Sequence, residues 1–157
     1  MNAVQPKLKF GVTRNPQVRA EIERIEKKML SANLPQRKNG SLESVLGYEV
    51  KHSFGEGIYV RECHVPAGFF FVSELHKFDH PFFMMKGRLR VMSEEGNAII
   101  EAPSNGITKA GTKRVIYVEE DTIFCTCHAV GEKKDLNEIE DFIVAKSYDE
   151  FELEEKI

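Results

Sequence analysis

The run Phe69-Phe-Phe-Val-Ser-Glu74-Leu-His76-Lys-Phe-Asp-His80-Pro-Phe-Phe-Met-Met-Lys-Gly87 decides how this chain folds. Its apolar stretches are four or five residues long, rich in aromatic residues, and broken by Pro81 and Gly87. That is the length of strands, and no helical period runs through it. The same pattern extends outward from residue 48 to 128. Turn signals fall at 55–57, 66–68, 87, 95–97, 103–106 and 110–111. Short strands at this spacing, rich in Val, Ile, Phe, Tyr and Thr, predict an antiparallel sandwich or barrel. The expected strands are 57–65, 69–76, 82–92, 98–102, 113–118 and 122–129, enough to bury a core of their own.

The polar centre of the run has metal-ligand character. Glu74 and His76 are two residues apart, so on a strand they share a face, and His80 can return to that face after a turn. Two imidazoles and a carboxylate with open positions suit iron, manganese, zinc or nickel. The helical alternative, two histidines at i and i+4 as in zinc proteases, fails: Lys77 stands where the general-base Glu belongs, and Pro81 follows at once. Histidines beside a turn are also often simply hydrogen-bonded. Phe78, Phe82, Phe83, Met84 and Met85 are expected to fill the barrel rather than line a substrate cavity.

The flanks read differently. Asn15-Pro16 is a helix cap and first turn, and Val18, Ile22, Ile25 and Met29 then recur on one face. A helix is predicted over 16–30, ending before Pro35, with a polar linker at 36–41. Asp135-Leu-Asn-Glu138 has the form of a capping box, and Leu136, Ile139 and Ile143 line one face after it, predicting a helix over 136–146. Residues 148–157 alternate acidic residues with Phe151 and Leu153. They read as a solvated tail or as a peptide that docks on a neighbouring subunit. The chain thus divides into an arm (1–40), a barrel (41–130) and a helical, acidic tail (131–157).

Composition removes several function classes. With 41% hydrophobic and 30% charged residues, a disordered chain is excluded. Twenty-two basic residues against 25 acidic ones give a net charge of −3 with no basic block, which argues against nucleic acid. The longest apolar runs, 69–72 and 81–85, are far short of the roughly 18–20 residues a membrane helix needs. Residues 1–10 carry Lys7 and Lys9 with no apolar stretch behind them, so a cleaved secretion signal is not expected. A cytosolic setting follows. There the three cysteines, Cys63, Cys125 and Cys127, are expected as reduced, buried thiols rather than half of a metal site.

The run from Pro66-Ala-Gly68 through Glu74-Leu-His76 and His80 to Gly87 resembles the first sequence motif of the cupin superfamily. Lys109-Ala-Gly111-Thr-Lys-Arg114 resembles the start of the second. Counting back from Gly87, His80 falls on the family's Glu, His76 on its second His and Glu74 on its first. Counting on from Gly111, Arg114 takes the place of the last His. Arg stays protonated and cannot ligate a metal, so the resemblance implies that Arg114 either holds an anionic ligand or pairs with Glu74. His128, ending the last strand, is a candidate replacement ligand. Its parity mates Phe124 and Thr126 leave its face open.

A wider likeness is to small cupin-like proteins of tailed bacteriophages. It is carried by Gly57-Ile-Tyr-Val-Arg-Glu62, His76-Lys-x-x-His80, Lys86-Gly-Arg-Leu-Arg-Val91, Glu95-Gly96, Ala102-Pro103, Gly111-Thr-Lys-Arg114, Glu120-Asp-Thr122 and the stretch from Asp135-Leu to Glu140. The likeness implies a mainly β, jelly-roll-type barrel with a helix at each end. The function it favours is non-enzymatic: a virion structural or assembly accessory component in host cytoplasm or particle. Its arms would contact copies of itself or other virion proteins. The alternative is a metal-dependent cupin enzyme or small-molecule binder using Glu74, His76 and His80, with Arg114 orienting an anionic group.

Overall fold

The computed structural model describes residues 14–32 and 48–154. The expected linker at 36–41 and the basic start at 1–10 lie outside the described residues. Helix α1 spans Pro16–Ser31, one residue beyond the prediction. The Asn15 side chain accepts from the Val18 amide at 3.2 Å, with Pro16 in the first turn. The helix buries Ile22 and Met29 against its own barrel, so the described part of the arm is packed rather than extended.

Ten strands follow: β1 (Glu49–Phe54), β2 (Gly57–Val65), β3 (Phe70–Val72), β4 (Leu75–His76), β5 (His80–Lys86), β6 (Arg88–Ser93), β7 (Gly96–Glu101), β8 (Ser104–Thr108), β9 (Val115–Val118) and β10 (Thr122–Gly131). Then come α2 (Leu136–Ile143), β11 (Val144–Ala145) and α3 (Tyr148–Glu154). One sheet runs β1-β2-β10-β5-β8 and a second β3-β9-β6-β7, every pairing antiparallel. Cys63, Val65 and Met84 from the first sheet meet Leu89, Val91, Ile116 and Val118 from the second. This is a two-layer antiparallel β fold of jelly-roll type with helices at both ends, as expected from the sequence. No helix among the described residues is long and apolar enough to cross a membrane.

Four departures from the predicted elements have physical causes. The strand expected at 82–92 divides at Gly87, whose φ is +90°, into β5 of the first sheet and β6 of the second; a Cβ there would lie 2.4 Å from Thr122 Oγ1, so only glycine fits. The strand expected at 69–76 divides at Ser73, whose amide and hydroxyl bond the Arg114 backbone at 2.8 and 2.9 Å. The turn expected at 103–106 is a bend at 102–103, and 104–106 already belong to β8, recruited as partner of β5. Helix α2 stops at Ile143, three residues early, because Val144 and Ala145 pair with β4.

The tail is neither solvated nor extended where it is described. It forms α3, with Tyr148 and Phe151 buried beside Leu75 and Ala145. Gly111, at φ +78°, leaves room for Phe151, whose ring would stand 2.5 Å from an added Cβ.

Candidate metal and ligand cavity

Antiparallel register sets the inner wall of the five-stranded sheet. Residues opposite one another across strands share a face. Tyr59 on β2 faces His128 on β10. One step along, Arg61 faces Thr126, which faces Phe82 on β5; one step further, Cys63 faces Phe124, which faces Met84. His80 precedes Phe82 by two residues, so it points the same way and pairs with Thr108 on β8. Arg61, His80, Phe82, Met84, Phe124, Thr126 and His128, with the facing sheet, line a cavity of about 150 Å³.

His76 reaches the cavity from β4, and three backbone contacts fix it there. It pairs with Val144 of β11, its carbonyl accepts from the Gly111 amide at 2.9 Å, and the next amide, Lys77, donates to Ile143 O at 2.8 Å. The turn from His76 to His80 is pinned by Asp79, which accepts from the Ala110 amide and from Lys109 Nζ, both at 2.8 Å. The helical tail therefore helps to place a site residue.

The outcome is a histidine triad. The rings of His76 and His80 are 4.4 Å apart, those of His80 and His128 4.6 Å, and those of His76 and His128 5.1 Å. One nitrogen from each ring lies within 4.8 Å of the others, a grouping that could hold one ion. His80 and His128 are buried, and His76 is partly so. His80 Nδ1 lies 3.2 Å from Phe78 O, an acceptor only, so that nitrogen carries the proton and Nε2 keeps its lone pair. Burial, and then the nearby Arg114 charge, hold the His80 pKa below its ordinary value and keep the ring neutral. His128 Nε2 bonds Thr126 Oγ1 at 3.1 Å.

The other expected site residues separate. Glu74 lines the cavity but is not among the converging ligand groups; the third is His128, the candidate replacement ligand. Glu74 and Arg114 form no ion pair. Arg114 donates to Thr108 Oγ1 at 3.1 Å and lies 6.0 Å from the Phe82 ring centre, on the cavity wall. Of the bulky residues expected to fill the barrel, Phe82 and Met84 point inward. Phe78, Phe83 and Met85 are 47%, 44% and 50% exposed, which leaves the cavity open.

Cys63 and Cys125 are buried as expected, and Cys127 is partly exposed. Burial, reinforced by Glu62, pushes the Cys125 thiol up to about 11, so it stays protonated and inert. Arg61 was not singled out from the sequence. The signal was present, because Tyr59, Cys63 and Val65 mark the apolar parity of their strand and Arg61 stands among them.

Imidazoles that converge on the wall of a cavity can hold a divalent ion with positions left for a small molecule. Solved structures similar to this chain include an acetylacetone dioxygenase from Acinetobacter johnsonii, 19% identical over 59% of this chain and 70% of that one, with a TM-score of 0.48. Another is a cupin-2 domain protein from Shewanella frigidimarina, at 15% identity, 52% and 79% coverage and a TM-score of 0.44. A third is KdgF from a Halomonas species, at 12% identity, 52% and 79% coverage and a TM-score of 0.46. No protein-family model matches the chain, and no curated protein does.

Proposed function

We propose that the cavity is a cupin-type divalent-metal site that binds a small molecule, with His76, His80 and His128 as the protein ligands. The observation that carries this is the convergence of three imidazole nitrogens within 4.8 Å on the wall of an enclosed cavity. The donor set fits: a neutral His80 offers Nε2, and an all-imidazole triad suits zinc, iron, manganese or nickel. Such an ion would supply Lewis-acid polarisation of a bound oxygen. The chain's own groups bind and orient the ligand: Arg114 offers its guanidinium to an anionic group beside His80, and the aromatic walls exclude water.

The test is elemental analysis of purified protein beside a His76→Ala, His80→Ala double variant. About one divalent ion per chain, lost in the folded variant, is the expected result. No metal in either sample after supplementation with each candidate ion would sink the reading.

A second reading, assembly into homo-oligomers or with virion proteins, is favoured by one observation. Phe83, Met85 and Ile107 are 44%, 50% and 54% exposed on the outer face of the five-stranded sheet. Light scattering on the purified chain tests it. A multimer dispersed by Phe83→Lys supports it, and a monomer at all concentrations opposes it.

A further inference from the structure

The cavity wall carries a second guanidinium that the metal site leaves without a role. Arg61 occupies β2 between Tyr59 and Cys63, which are 0% and 1% exposed, and faces Thr126 across the sheet. The residue as a whole keeps some exposure, yet its Nε is sealed from solvent and has no acceptor among the described residues. Its side chain bonds the Tyr48 hydroxyl. Two carboxylates line the cavity, Glu26 and Glu74; Glu26 is bound to Lys113 Nζ at 2.6 Å, and neither is among the charges that act on Arg61. A sealed cation without a counter-charge is costly in a folded protein. A second orphan lines the same cavity: Thr112 Oγ1 is buried with no hydrogen-bond partner among the described residues.

We infer that the cavity takes a small carboxylate with an apolar body, its carboxylate held by Arg61 and the rest of the molecule reaching towards the histidines. The register gives the spacing. Arg61 lies two strand residues from the Tyr59–His128 row, about 7 Å at the usual rise per residue. A carboxylate on Arg61 thus leaves the next few atoms of the ligand beside the triad. The facing wall is apolar, with Phe71, Val91 and Ile116, which suits a hydrocarbon body. A planar guanidinium in such a wall matches a monoanionic carboxylate, bound through two parallel hydrogen bonds, better than a strongly hydrated phosphate dianion. This inference rests on the cavity being a ligand site, as proposed above, but not on its metal.

Calorimetric titration of hexanoate, hexanamide and inorganic phosphate into chelator-treated full-length protein tests it. The expected result is hexanoate binding at least about tenfold tighter than hexanamide or phosphate, in the natural chain and in the His76→Ala, His80→Ala variant alike. Arg61→Gln should lose about tenfold or more for hexanoate and leave hexanamide unchanged. Equal binding of acid and amide, phosphate as the tightest ligand, hexanoate affinity untouched in Arg61→Gln, or no binding at all would overturn the inference. So would hexanoate binding lost in the double-histidine variant but kept in Arg61→Gln. Metal content of the same samples judges the metal reading separately. If Arg61→Gln does not fold, the acid-to-amide ratio in the natural chain decides alone.

Discussion

Two parts of this molecule handle buried charge in opposite ways. Where the helices clasp the barrel, the cations have carboxylate partners. Arg19 of α1 bonds Glu94 and Glu152, each at 2.6 Å, and lies 4.3 Å from the Tyr148 ring centre; Glu94 also accepts the Asn15 amide at 2.6 Å. Lys113 is held by Glu26. In the cavity, among the described residues, Arg61 bonds the Tyr48 hydroxyl and Arg114 the Thr108 hydroxyl, with no carboxylate in hydrogen-bond contact with either. The difference separates two jobs. Paired charges join α1, α3 and the β6–β7 turn into one unit, whereas the unpaired ones face the space where a ligand would sit.

Breaking the paired side should cost most. Glu94 is 3% exposed and Arg19 15%, so Glu94→Gln leaves a largely buried guanidinium with only Glu152. We expect a loss of about 2–3 kcal/mol in urea unfolding, at the lower end for a broken buried pair because some solvent reaches Arg19. A loss under about 0.5 kcal/mol would remove the contrast from its structural side.

The unpaired side should respond with the opposite sign. Arg61→Met removes a cation that has no carboxylate ion pair among the described residues and keeps the stem volume. Stability should hold or rise by about 1 kcal/mol while carboxylate binding is lost. A loss as large as that of Glu94→Gln would make Arg61 a structural group and erase the comparison.

The smallest effect is a pH dependence. Burial and Arg114 hold His80 below its ordinary pKa of 6.5, so the folded chain binds a proton at this site less readily than the unfolded one. Its contribution is fully present above that value and is lost as pH falls below it, by less than about 1.4 kcal/mol per pH unit. His80→Asn in metal-free protein should flatten the slope of unfolding free energy between pH 6.5 and 5; an unchanged slope would contradict the assignment.

What could be read in the sequence follows from how local each signal is. The α1 cap, Asn15-Pro16, is a local device, and the observed helix differs from the prediction by one residue. β2 matched residue for residue because apolar parity runs through it. β8 and β11 carry no pattern of their own. They are strands because β5 and β4 offer open edges, a tertiary fact. β1, with mostly polar residues, is held in the same way by β2.

The site divides along the same line. His76 and His80 are close in sequence and read together, and Glu74 joined them on strand parity and on its place in the cupin-like motif. His128 could be assigned a face only from the register of β10 against β2 and β5, which turns Phe124, Thr126 and His128 inward together. Arg61 was legible as a charge on an apolar parity, and that mark lay outside the metal motif.

The central claim is that three histidines from β4, β5 and β10 converge on one ion. Titrating zinc or cobalt into chelator-treated protein, beside the single variant His128→Ala, tests it most directly, because the register of β10 against β2 and β5 is what turns His128 into the site. We expect one ion per chain in the natural protein and at least about tenfold weaker binding in the variant. Affinity unchanged in His128→Ala, or no saturable binding in the natural chain, would contradict the claim.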